Sequence, residues 1–324
     1  MRTAAILGAS GYAGQETLDR VLRHPELELV VLGSDSLAGR GASALDVRLN
    51  GHLPAFLPNE EALAAGADVV FACLGNEEAA ALAPPEGAVV VDLSGAHRLK
   101  DAALYDEWYG FEHPLPGALS DWSYAVPELV PPASRLVANP GCYATATLLA
   151  LAPVADLIDR TSVVVDAKSG VSGAGRALKE SSHAGAVLEN VAPYRVGTHQ
   201  HSPEIEQALG FAVCFVPHLL PVRRGLLVTC YVNGDGVSER LQETYADAPL
   251  VRVLPQGVAP DLARVQGTDT AELGVFEDRS TGKTIVVCAL DNLGKGAAGQ
   301  AVQNANLALG LPETAGLRVG GVLV

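Results

Sequence analysis

A chain of 324 residues exceeds one typical domain and predicts two. Hydrophobic residues make up 48% and aromatic ones only 5%, so the core must come from Ala, Val and Leu, which suits helices packed on a mostly parallel sheet. A net charge of −15 argues against general binding to nucleic acid or anionic membrane, and no run offers the roughly 18 unbroken apolar residues of a membrane span.

The N-terminal "TAAILG" (3–8) reads as a first strand and not as a signal peptide, which predicts a cytoplasmic protein. A helix is expected over 12–24. "LELVVLG" (27–33), "DVVFACL" (68–74), "AVVVDLS" (88–94) and "RLVANP" (135–140) continue as apolar strands bounded by Gly, Pro or Asp. Strands separated by helices predict a parallel sheet wound on both faces. Beyond about residue 160 the strands "TSVVVDAK" (161–168), "FAVCFVP" (211–217), "GLLVTCYV" (225–232) and "KTIVVCAL" (283–290) alternate with few helices and predict a mixed or antiparallel sheet. Residues 295–309 carry small side chains at helical spacing and should pack closely. The reading is therefore α/β, with a Rossmann-like parallel-sheet domain over 1–141 and an α+β domain over 142–294. The terminal helix, from about 295 to 324, is expected to return to the first domain.

Two stretches of the first domain suggest a dinucleotide. In "ILGASGYAG" (6–14), Gly8, Gly11 and Gly14 are spaced by three where a strand hands over to a helix, with Ser10, Tyr12 and Ala13 between them. Glycines there let the chain turn, let a pyrophosphate approach and let the helix pack on the strand, while the helix N-terminus favours an anion. A lone glycine motif is weak, but its place after the first strand supports nucleotide binding. In "GSDSLAGR" (33–40), Ser34, Ser36 and Arg40 favour a ribose 2′-phosphate and hence NADP, whereas Asp35 argues for a free 2′-hydroxyl.

The five cysteines (73, 142, 214, 230, 288) include no C-x-x-C pair and predict no disulfide framework, as in a reducing compartment. Four look like mid-strand core. Cys142, in "NPGCYATATLLA" (139–150), follows a Pro-Gly turn at the start of a helix, where unpaired N–H groups and the helix dipole stabilise a thiolate. Burial and nucleophilic chemistry both remain open for it. A thiol nucleophile also needs a proton carrier. The histidines to weigh are His199 and His201 in "YRVGTHQHSPEIEQ", and His218 in "FVPHLLPVRRG", read as just past a strand end beside Arg223 and Arg224. H-x-H without a third ligand pattern predicts no metal.

Eight blocks, in order along essentially the whole chain, resemble the N-acetyl-γ-glutamyl-phosphate reductase family of the semialdehyde dehydrogenase group. They are "GASGYAGQE" (8–16), "VDLSGAHRLKD" (91–101), "YAVPEL" (124–129), "NPGCYATA" (139–146), "SGVSGAGR" (169–176), "HQHSPEIEQ" (199–207), "VPHLLPVRRGLLVT" (216–229) and "DNLGKGAAGQAVQNAN" (291–306). The resemblance implies NADPH-dependent reduction of an acyl phosphate to a semialdehyde in arginine biosynthesis, through a thioester on Cys142 with His218 as acid/base. It puts the nicotinamide-side loop on Asn292, Gly294, Lys295 and Gly296. It also implies release of inorganic phosphate and assembly into dimers or tetramers.

The small anionic substrate needs converging positive groups, for which Arg98, Arg195, Arg223 and Arg224 are candidates, with His199 and His201 beside them. Glu204 either orients a histidine or lies on the exposed face of a helix over 203–209. One departure is visible: the family's usual H-R-H is His199-Gln200-His201 here, which removes a guanidinium expected near the site. Two alternatives stay open, a carrier-linked aminoadipyl-phosphate reductase of lysine biosynthesis and an NADPH-binding regulator without catalysis. Aspartate-semialdehyde dehydrogenase is more distant.

Overall fold

The structure, a computed structural model, describes residues 1–49, 51, 53–177, 180 and 183–321. It divides into one unit of Met1–Pro140 with Ala297–Leu317 and a second of Gly141–Gly296 with Arg318–Val324.

In the first unit, strands β1 (Arg2–Leu7), β2 (Leu27–Gly33), β3 (Phe56–Leu57), β4 (Val69–Ala72), β5 (Val89–Asp92), β6 (Ser123–Tyr124) and β7 (Leu136–Ala138) form one sheet in the order β3-β2-β1-β4-β5-β7-β6. Every pairing is parallel. β4 and β5 are buried along their whole length, as a parallel sheet covered on both faces requires. The Tyr12–Val21 helix follows β1 directly. The Gly299–Leu309 helix packs on it and on β5, placing Ala301, Val302 and Ala305 in a core with Ile6, Phe71 and Val91. Residues 295–309 are not one regular helix: a π-helical turn, Gly294–Ala298, precedes the α-helix.

The second sheet contains β8 (Val164–Gly170), β9 (Ala192–Pro193), β10 (Cys214–Leu220), β11 (Leu226–Val232), β12 (Val251–Val253), β13 (Ala271–Glu277) and β14 (Thr284–Leu290), in the order β12-β13-β14-β11-β8-β10-β9. β8–β10 and β12–β13 pair in parallel and the other neighbours antiparallel, so the sheet is mixed. Val165, Ala167, Val228, Cys230, Val286 and Cys288 are fully buried on one face, while Asp166, Lys168, Thr229, Tyr231 and Val287 alternate with them, half-exposed. The Cys142–Leu151 helix packs on β11 and β14, and Tyr143 of that helix touches Phe215 of β10. The helix therefore lies on the buried face.

That alternation corrects two expectations. β10 does not stop at Pro217 but runs to Leu220, so His218 lies inside the strand, two residues from Val216 and on the face opposite Phe215. Cys214 is not core: it is the first residue of β10 and is exposed, and Cys73 lies just beyond β4. Cys230 and Cys288 are buried mid-strand, where burial raises both thiols, Cys288 to about 12.

Candidate active site

The glycines of the first unit have distinct reasons. Gly8 has a φ of 64°, and a Cβ there would stand 2.2 Å from the Cys73 carbonyl oxygen. At Gly14 a Cβ would lie 2.4 Å from the Gly8 carbonyl oxygen, so the helix could not approach the strand. Gly11 is the N-cap of the Tyr12–Val21 helix and offers no side-chain cap. The first-turn N–H groups, from Tyr12 through Gly14, have no carbonyl within the helix to bond and suit an anion. Beside them, Ser34 Oγ donates to Ser10 Oγ at 2.9 Å and lies 3.2 Å from Ser36 Oγ. Three clustered hydroxyls next to a helix N-terminus form a donor set for phosphate. Arg40, a few residues on, is exposed.

In the second unit Cys142 is the first residue of its helix, with extended Gly141 (φ −69°, ψ 154°) as the N-cap and no capping side chain. The Gly141 N–H donates to Glu204 Oε1 at 2.8 Å, and Glu204 is fully buried. Glu204 Oε2 stands 4.0 Å from His201 Nε2, three residues earlier on the His201–Leu209 helix. One carboxylate thus lies between a histidine and the turn that presents the thiol, hydrogen-bonded to the turn.

Around this link lies an aromatic cluster. The Tyr194 hydroxyl donates to the Tyr143 hydroxyl at 3.3 Å, and Tyr143 donates to the His218 carbonyl oxygen at 3.2 Å. The His199 ring sits edge-on to Tyr143, Tyr194 and His201. His199 Nδ1 accepts the His201 N–H at 3.1 Å, so its neutral ring carries the proton on Nε2. Burial, then His201 and Arg195, lower the His199 pKa to about 2. Burial pushes Tyr194 up to about 12, with the nearby negative charge of a Cys142 thiolate adding to the rise, and Tyr143 shifts upward for the same first reason. Both phenols stay protonated donors at neutral pH.

The alternation of β10 puts the His218 side chain on the face opposite Phe215, the residue that the Cys142 helix meets through Tyr143. The His218 Nδ1 lies 3.2 Å from both Asp166 Oδ1 and the Ala167 carbonyl oxygen, on the half-exposed face where Asp166 also pairs with Lys168 at 2.5 Å. The His218 carbonyl oxygen accepts from Tyr143 of the Cys142 helix. His199 and His201 are the histidines on the same side as that helix.

The other candidates divide. Arg195 has a φ of 45° and donates to the Gln200 amide oxygen, so a guanidinium reaches position 200 from five residues away. Both line a cavity of about 420 Å³ with Ser169, Tyr194, His199 and Leu219. Arg224 is committed to the buried Asp291 at 2.5 Å, and Arg223 is exposed. Arg98, in the first unit, is buried and donates to the carbonyls of Asn139 (2.9 Å) and Leu93 (3.0 Å). The Asn292 amide accepts from Gly225 N–H at 2.8 Å and donates to Ser172 Oγ at 2.9 Å, binding its own unit together. Lys295 is fully buried. Gly294 passes so close to Thr268 that a Cβ would lie 2.0 Å from its carbonyl oxygen. At Gly296 a Cβ would lie 2.8 Å from Cys142 Cβ, so this glycine borders the thiol residue directly. Among the described residues no group of three or more His, Cys, Asp or Glu side chains could hold a metal ion, and no helix is long and apolar enough to cross a membrane.

Two family models match, semialdehyde dehydrogenase NAD binding domain over residues 3–136 and semialdehyde dehydrogenase dimerisation domain over 142–292. N-acetyl-gamma-glutamyl-phosphate reductases from Acidothermus cellulolyticus and Salinispora arenicola are 45% and 47% identical to the chain, each alignment covering 98% of both proteins. Aspartate semialdehyde dehydrogenase II of Vibrio cholerae shares the fold at a TM-score of 0.74 and 21% identity, over 95% of this chain and 98% of that one. With the glycine loop, the Pro-Gly-Cys helix start and two near-full-length relatives in agreement, the chain belongs to the N-acetyl-gamma-glutamyl-phosphate reductase family.

Proposed function

We propose that the chain catalyses NADPH-dependent reductive dephosphorylation of N-acetyl-γ-glutamyl phosphate to N-acetylglutamate semialdehyde, a step of arginine biosynthesis. The observation that carries the reading is Cys142 at an uncapped helix start whose N-cap N–H is held by buried Glu204.

NADP fits the first unit: the pyrophosphate suits the N–H groups after Gly11, and a 2′-phosphate suits the hydroxyls of Ser10, Ser34 and Ser36. When bound, NADPH supplies the hydride. The Cys142 thiolate attacks the acyl carbon, the bond to the phosphate oxygen breaks, and inorganic phosphate leaves a thioester. The backbone N–H groups at the helix start are placed to stabilise the oxyanion, a contribution of roughly 2.7–4 kcal/mol for one such donor. After reduction, the bond from carbon to Sγ breaks, the aldehyde departs and the thiol is restored. We assign the proton transfers to His201, oriented by Glu204, in place of His218. Arg195 with Gln200 and His199 provides the anion-binding wall, and exposed Arg223 is a further positive group for the substrate.

The half-exposed face of the second sheet, with Leu227, Tyr231, Ile285 and Val287 on it, serves as the contact surface of a homo-oligomer. The free thiols agree with work in the reducing cytoplasm.

The test follows NADP⁺ reduction in the reverse direction, with N-acetylglutamate semialdehyde and phosphate. Phosphate-dependent reduction should vanish in Cys142→Ser and fall about 10²–10⁴-fold in His201→Asn, while His218→Asn retains most activity. No reduction by folded, NADPH-binding protein would overturn the assignment, and activity with a carrier-linked aminoadipyl substrate would replace it.

A further inference from the structure

Asp35 poses a conflict. It stands two residues beyond β2, where an acidic side chain accepts from a ribose 2′-hydroxyl and repels a 2′-phosphate, yet its neighbours are phosphate-type serine hydroxyls. The structure shows where its charge goes. Asp35 Oδ1 accepts the Asn59 N–H at 2.9 Å, and Oδ2 accepts Asn59 Nδ2 at 3.0 Å.

Asn59 is itself fixed from two sides. Its Oδ1 accepts the N–H of Gly8, the first glycine of the phosphate loop, at 2.9 Å. Its NH₂ also donates to Glu78 Oε1 at 3.0 Å. With a donor on one side and two carboxylates on the other, the amide has a single satisfied orientation. Gly33 leaves room for it, since a Cβ there would lie 2.8 Å from Asn59 Oδ1. All these groups belong to the first unit.

We propose that Asn59 is a positioning residue for cofactor selection: it ties the Asp35 carboxylate to the start of the Asn59–Leu63 helix and leaves the serine hydroxyls to meet a 2′-phosphate. The inference rests on the NADP reading above. Releasing Asp35 turns the same pocket toward a free ribose hydroxyl.

Dissociation constants for NADPH and NADH, measured by fluorescence titration on the full chain, test this without turnover. Asn59→Ala keeps the backbone N–H on Asp35 Oδ1 but frees Oδ2 to turn toward the phosphate, and should lower the preference for NADPH over NADH at least about threefold. Adding Asp35→Ala to that variant should restore the preference, whereas Asp35→Ala alone should change it less than about threefold, its charge being already held aside. If both cofactors weaken equally in Asn59→Ala, the residue only braces Gly8 and the proposal is wrong. A wild type that prefers NADH overturns the NADP reading itself, and this proposal with it. Asn59→Ser, too short to span Gly8 and Asp35 together, repeats the measurement should the alanine variant fail to fold.

Discussion

At the scale of single residues, His199 links packing to acid stability. Its ring is enclosed by Tyr143, Tyr194 and Phe215, and burial first, then His201 and Arg195, brings its pKa to about 2. Below pH 6.5 the unfolded chain gains a proton that the folded chain refuses, so this group costs stability as pH falls. The loss approaches about 1.4 kcal/mol per pH unit until the folded value is reached. Urea unfolding at pH 7 and pH 5 should therefore show wild type losing about 2 kcal/mol more than His199→Gln. An equal loss in both proteins would mean that the ring is not held neutral. The helix start at Cys142 was legible from sequence because Asn-Pro-Gly before a run of small residues is a strong local pattern. The place of His218 was misread because nothing local marks whether β10 ends at Pro217, and a residue taken for loop is assigned to neither face of the sheet. Tyr194 left no signal, since its partner Tyr143 is 51 residues away. The His201–Glu204 spacing was the legible trace of the carboxylate link, three residues apart on one helix face.

At the scale of elements, the π-helical turn Gly294–Ala298 joins β14 to the terminal helix by close backbone approaches at two glycines. Gly296→Ala would place a methyl group 2.8 Å from Cys142 Cβ and 3.1 Å from Leu290 Cδ1, contacts between packed groups with little room to yield. It should lower kcat at least about tenfold through displacement of the thiol. The stability cost should be about 1–3 kcal/mol, as for other overpacking. A folded variant of full activity would show that the turn does not bear on Cys142. Long strands of Val, Leu and Ile were visible in the sequence. β3, β6 and β9, two residues each, lie below any periodic signal. β13, "AELGVFE", was hidden because Gly274 and two glutamates interrupt its apolar pattern.

For the molecule as a whole, the two-sheet α/β architecture was readable because parallel and mixed sheets impose different hydrophobic patterns. The face opposite the Cys142 helix was not readable, since its half-exposed Leu227, Tyr231 and Val287 look like ordinary strand residues until the alternation is known. If this face joins two copies, Leu227→Glu should bury a charge in the contact and convert the oligomer to monomer in sedimentation velocity. An unchanged oligomer would assign the contact to another surface.

The return of Ala297–Leu317 to the first unit has a consequence for biosynthesis. While the ribosome makes the second unit, β5 and the Tyr12–Val21 helix lack their terminal partner, and the Asn139 and Ala125 oxygens lack Asn304. At typical elongation rates that interval lasts about 10–30 s, long compared with strand pairing. A nascent chain released early would expose an apolar seam on an otherwise formed sheet, the surface a chaperone or protease would meet first.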